Sequence, residues 1–135
     1  MTTILVVDDE AMVLNLCSMA LREHGFEVIS VSNGIQSLSY FEEGRTHIDL
    51  ALLDVVMAGL NDFELSKRIH QLSPSTKILF MSGCTPAEIT RVIGKDMANH
   101  RSIWKPFTAD SLVRMIGNVL GSAQAGADGH VPIGQ

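Results

Sequence analysis

The sequence predicts an α/β fold: a five-stranded parallel sheet with helices on both faces, built from one chain of 135 residues. Three observations carry that expectation. Short runs of branched aliphatic residues alternate along the chain with longer stretches whose apolar residues return at helical spacing. The alternation repeats five times, and such a pattern folds as right-handed crossovers around a parallel sheet. Finally, the central run from Ile48 to Met57 reads as a buried strand and delivers Asp54 to its carboxyl end. That rim is where open α/β sheets keep their chemistry.

The elements follow in order. Thr3 to Val7 is a first strand, closed by Asp8-Asp9-Glu10 and followed by a helix with apolar residues at 13, 14, 17, 20 and 21. His24-Gly25 ends that helix, with Gly25 as its cap, and Phe26 to Val31 forms a second strand. Asn33 caps a helix carrying Ile35, Leu38 and Phe41. After the central strand comes the loop Met57 to Asp62, then a third helix with Leu65, Ile69 and Leu72 on one face, stopped by Ser73-Pro74. Lys77 to Met81 is the fourth strand. Thr85-Pro86-Ala87-Glu88 opens the next helix with a capping residue, a proline and a glutamate three after the cap. Ile103-Trp104 must supply the fifth strand, and Thr108 caps a last helix with Leu112, Met115, Ile116, Val119 and Leu120 along one stripe. Residues 1–121 are expected to be one domain, and 122–135 a flexible tail or the start of a linker.

Composition narrows the function. Ten basic against fifteen acidic side chains leave a formal charge of -5, which repels a phosphate backbone, so direct nucleic-acid binding is not expected. No run approaches a membrane span, and the two cysteines, Cys17 and Cys84, have no metal-ligand spacing. A cytoplasmic protein with reduced thiols is the expectation. The five histidines show no ligand spacing either and are expected at the surface.

Every loop that follows a strand lies on one rim of a parallel sheet. These loops carry Asp8-Asp9, Asp54, Ser82-Gly83 and Lys105-Pro106. Carboxylates converging from two strands repel one another, and a hard dication with oxygen ligands relieves them. Magnesium is the implied ion, held by Asp8 and Asp9, partly through water, and shared by Asp54. The free oxygen of Asp54 can then attack phosphorus. Lys105 suits the phosphoryl oxygens as a point charge, Ser82 can donate a hydrogen bond, and Gly83 lets the backbone come close. Singly, each feature has a plainer reading as a helix start, a cap or a turn. Their order on successive strand ends is what argues for a site.

Val6-Val7-Asp8-Asp9-Glu10, Leu53-Asp54-Val55-Val56-Met57, Met81-Ser82-Gly83 and Lys105-Pro106-Phe107 resemble the motifs of the receiver domain of two-component response regulators, the CheY-like family. The resemblance spans roughly residues 3 to 120. It implies the strand order 2-1-3-4-5, with Asp54 as phosphoacceptor from a sensor histidine kinase or histidine phosphotransfer protein. It also implies magnesium on Asp8, Asp9, Asp54 and the Val56 backbone carbonyl, Ser82 as the switch hydroxyl, Lys105 as the phosphate-binding lysine, and a cis bond before Pro106. The downstream partner would be an effector protein or an attached output domain. A homodimer would use the face formed by the helix that opens at Thr85, the fifth strand and the last helix.

Some positions depart from that family pattern. Met57-Ala58-Gly59 stands where Met-Pro-Gly is usual, and Asp62 where a glycine is common. Ser102 replaces the usual aromatic switch residue, with Trp104 two residues on and on the same strand face. Val56 and Cys84 flank the expected path of an attacking water without being able to orient it, which predicts slow self-dephosphorylation. On this reading the chain is a switch that catalyses only its own phosphorylation and slow dephosphorylation, and not an enzyme. Three rivals stand beside it. A haloacid-dehalogenase-like phosphatase would need an acid at position 56, and an FMN protein would need a phosphate loop where Asp8-Asp9-Glu10 stands. The third is a phosphorylation-independent docking receiver.

Overall fold

The computed structural model describes residues 2–42, 47–54, 62–82, 101–105 and 107–124. Five strands, β1 (Thr3–Val7), β2 (Glu27–Val31), β3 (Leu50–Asp54), β4 (Lys77–Ser82) and β5 (Arg101–Trp104), pair in parallel in the order β2-β1-β3-β4-β5. Among the described residues four helices accompany them: α1 (Ala11–Glu23), α2 (Gly34–Glu42), α3 (Asp62–Leu72) and α4 (Ala109–Gln124). The expected fold class and strand order are those observed. The helix expected to open at Thr85 lies outside the described residues.

Burial explains why the strands differ in legibility. All five residues of β1 and all five of β3 are buried, because these strands lie inside the sheet with helices on either side. Such strands read as unbroken apolar runs. β2, at the edge, buries only Val28 and Val31 and leaves Glu27 and Ser30 exposed. Two core clusters fill the two faces. Ile4, Val6, Leu50, Leu52, Leu79, Met81 and Ile103 pack with Cys17 and Leu21 of α1 and with Leu112, Ile116 and Val119 of α4. Leu5, Val7, Ala51, Leu53 and Phe80 pack on the opposite face with Leu38 of α2 and Leu65 and Ile69 of α3. Successive strand residues point to opposite faces, so even positions in β1 and β3 serve one cluster and odd positions the other.

Local chemistry sets the helix ends. Gly25 takes φ 86°, and Gly25 N–H and Phe26 N–H donate to the carbonyls of Arg22 and Leu21 at the end of α1, the closure a positive φ permits. Asn33 Oδ1 accepts from the N–H groups of Ile35 (2.7 Å) and Gln36 (3.2 Å), the cap expected for α2. Thr108 and Ser111 bond reciprocally at the start of α4, each hydroxyl accepting from the other residue's N–H. At its other end α4 runs to Gln124 and so takes in the first three residues, 122–124, of the expected tail. Ala123 and Gln124 are good helix formers, which accounts for the extension.

The amino-terminal rim of the sheet is tied by hydrogen bonds. Asp49 Oδ2 accepts from the Thr3 N–H at 2.8 Å, joining β3 to β1, and the Thr76 hydroxyl donates to the Ile48 carbonyl at 2.7 Å. His47 Nε2 lies 3.3 Å from Asp49 Oδ1 at the same rim and is exposed, as expected of the histidines. Among the described residues no helix is long and apolar enough to cross a membrane.

Candidate functional site

The site grows out of the strand register. β1 and β3 are neighbours whose last paired residues are Val7 and Leu53, so the next residue of each, Asp8 and Asp54, emerges side by side at the carboxyl rim. Both continue the even-numbered rows that face α1 and α4: Ile4, Val6, Asp8 and Leu50, Leu52, Asp54. Ile103 belongs to the same face, and Lys105, two residues on, carries a side chain long enough to cross β4 and reach the two acids. The three side chains meet because one parity governs all three strands.

Their geometry is that of a charge cluster taken out of water. Asp8 is fully buried and Asp54 is 4% exposed. Lys105 Nζ donates to Asp8 Oδ2 at 2.9 Å and to Glu10 Oε1 at 3.2 Å, and lies 3.6 Å from Asp54 Oδ2. The other oxygen of Asp8 accepts from the Glu10 N–H at 2.9 Å. Burial pulls the Lys105 pKa down, but the hydrogen bond it donates to Asp8, the charges of Asp54 and Asp8 and the bond it donates to Glu10 outweigh it, so the ammonium stands above its ordinary value. It is a firm cation. Beneath it Cys17 is buried and free, and burial together with the Asp8 charge pushes its thiol up to about 12, against a smaller opposing pull from Lys105. A neutral core thiol is what the sequence led one to expect there.

One oxygen each of Asp8, Glu10 and Asp54 lies within 4.8 Å of the others, a spacing and donor set that fit a hard dication. Asp9, expected as a metal ligand, is exposed and outside this group of three, whereas Glu10 belongs to it. The nearness of Glu10 to Lys105, at 3.2 Å, was the feature sequence reasoning missed, although its place in Asp8-Asp9-Glu10 was the available signal. Ser82 ends β4 beside Trp104 in the strand register, next to the pair formed by Asp54 and Met81. Val56, Gly83, Cys84 and Pro106 lie outside the described residues.

The family model described as "response regulator receiver domain" matches residues 4–117. The chain belongs to that family. It is a receiver of two-component phosphorelay signalling, and its relatives bear this out. It is 35% identical over 118 residues to the autoinducer 1 sensor kinase/phosphatase LuxN of Vibrio campbellii, covering 87% of this chain and 13% of LuxN. It is 30% identical to the sensory transduction protein RegX3 of Mycolicibacterium smegmatis, covering 97% of this chain and 58% of RegX3. The receiver therefore spans less than two thirds of these curated relatives. Among solved structures, a CheY-like receiver domain protein from Methanospirillum hungatei superposes with a TM-score of 0.80 at 23% identity, covering 93% of this chain and 98% of that one. A response regulator from Thermotoga maritima gives 0.75 at 26%, covering 90% and 98%.

Proposed function

We propose that this receiver takes a phosphoryl group on Asp54 from a phosphohistidine of a sensor kinase or histidine phosphotransfer protein and passes the change on to an effector or an attached output domain. The single observation that carries this reading is the convergence of Asp8, Asp54 and Lys105 on one buried spot at the carboxyl rim.

A carboxylate oxygen of Asp54 attacks phosphorus, the new P–O bond forms as the P–N bond to the donor imidazole breaks, and the imidazole leaves with the electron pair. An ionised carboxylate needs no base for this. Lys105, held as a cation at the mouth of the crevice, meets the charge on the phosphoryl oxygens. Asp8 and Asp54, with Glu10 or Asp9, would hold magnesium, which when bound supplies the positive charge that lets a dianionic group approach the acids. The Val56 carbonyl, Ser82 and Gly83 remain the expected further contacts to metal and phosphate. The domain acts on itself and turns over no separate substrate.

The surface beside the site suits a protein donor. Met12, Leu16 and Met19 form an exposed apolar row on α1, 84%, 42% and 64% exposed. Leu16 also lines a groove of about 350 Å³ together with Val13, Glu10, Lys105 and Phe107, so the row runs up to the ammonium itself. An apolar helix face of a donor laid on this row would bring its phosphohistidine to the crevice. The test of the whole reading is incubation with acetyl phosphate and magnesium, followed by intact-mass and peptide mapping. An acyl phosphate on Asp54, absent in Asp54→Ala, is expected; an unmodified wild-type protein would sink the reading.

A further inference from the structure

Glu10 is one of two acids of the turn that could join Asp8 and Asp54 on a metal, and its contact with Lys105 gives it a second part in the site. Its side chain is 63% exposed, yet it points back to the site, where Oε1 accepts from Lys105 Nζ at 3.2 Å. Its backbone N–H is fixed by Asp8 Oδ1 at 2.9 Å. Glu10 also occupies the N-cap position of α1, where a side chain ordinarily accepts from the first turn, and it makes no such bond. That carboxylate is committed to Lys105 instead.

The ammonium is thereby held closer to the two acids of the β1 turn, at 2.9 and 3.2 Å, than to Asp54, at 3.6 Å. We infer that Glu10 is a positioning residue that keeps Lys105 on the β1 side of the crevice and so competes with a phosphoryl group on Asp54 for the ammonium. The inference rests on Asp54 being the acceptor. An ammonium has three N–H donors, and to meet oxygens attached beyond Asp54 it must surrender part of its present set. Asp8, once engaged by a dication, has a weaker claim on a second cation. With Asp9 as the further acid on the metal, Glu10, out on the rim, keeps its claim, so Glu10 is the contact that must be broken. Glu10 thus acts as a brake on the phosphorylated state.

Beryllofluoride, a phosphoryl mimic, tests this with its bound and free fluoride followed by fluorine NMR at saturating magnesium. Glu10→Gln removes the charge, and Glu10→Asp keeps the charge but withdraws it from reach of Lys105. Both variants are expected to bind beryllofluoride roughly two- to five-fold more tightly than wild type, the range a largely exposed ion pair supports. A Glu10→Asp protein indistinguishable from wild type would assign any Glu10→Gln effect to the field of the charge and overturn the contact. Unchanged or weaker binding by Glu10→Gln would overturn the inference as well, weaker binding being the result if Glu10 served the metal. A wild-type protein that takes up no beryllofluoride would instead remove the reading of Asp54 on which the inference stands.

Discussion

Lys105 Nζ donates to Asp8 Oδ2 at 2.9 Å across 97 residues of chain, and the acceptor is fully buried. A buried carboxylate is costly unless a counter-charge meets it, and this lysine also lies 3.6 Å from Asp54 Oδ2. Removing it leaves two acids facing each other. Lys105→Met is therefore expected to lower stability by about 3 kcal/mol, the low end for breaking a buried pair because Lys105 is not fully enclosed. Urea denaturation at neutral pH measures it. The same variant should be phosphorylated slowly by acetyl phosphate, while Asp54→Asn, which relieves the repulsion, should lose phosphorylation without losing stability.

Alkaline pH should unfold the domain in two steps with separate origins. The pKa values of Cys17 and Lys105 are both raised on folding. A group of that kind contributes its stability in full below its unfolded pKa and loses it as pH climbs through the folded one. For Cys17 the loss begins near the ordinary 9.0 and runs to about 12. For Lys105 it begins only past 10.5. Denaturation between pH 8 and 11 should show stability falling from pH 9 in wild type, with Cys17→Ala flattening that first portion. A Cys17→Ala protein with the same slope as wild type would contradict the assignment.

Substitutions on the α1 row should separate donor docking from chemistry. Met12, Leu16 and Met19 contact water, so Leu16→Asp and Met19→Asp should leave the melting temperature within a few degrees of wild type. Phosphotransfer from a protein donor should slow by about ten-fold or more, the effect of losing one well-packed apolar anchor. Modification by acetyl phosphate, which needs no helix face, should be unchanged.

Asn33→Ala should destabilise the domain by about 1 kcal/mol through loss of the two N–H bonds at the start of α2. Chemical denaturation checks the size. Phosphorylation of Asp54 should be unaffected, since α2 packs on the face away from the cluster.

How much of this could be read in the sequence varied with the physics of each element. β1 and β3 announced themselves because strands buried on both sides allow only apolar residues, and the end of β3 placed Asp54 correctly. β5 has four residues and lies at a sheet edge, so Ile103-Trp104 carried too little pattern and only the need for a fifth strand located it. The meeting of Asp8, Asp54 and Lys105 followed from strand order and parity, which an ordered set of motifs does encode. The contact of Glu10 with Lys105 did not, because adjacent acids in a turn look alike until the backbone aims them. Asp49 escaped notice for a similar reason: it read as one polar residue in an apolar run, whereas it ties β3 to β1.

That last bond belongs to one of two chemically different ends of the sheet. Its amino-terminal edge is fastened by Asp49 to Thr3 and by Thr76 to Ile48, while the opposite edge gathers like charges around one ammonium. A charge added at Asp54 would fall among the charges of one end, far from the hydrogen bonds that fasten the other.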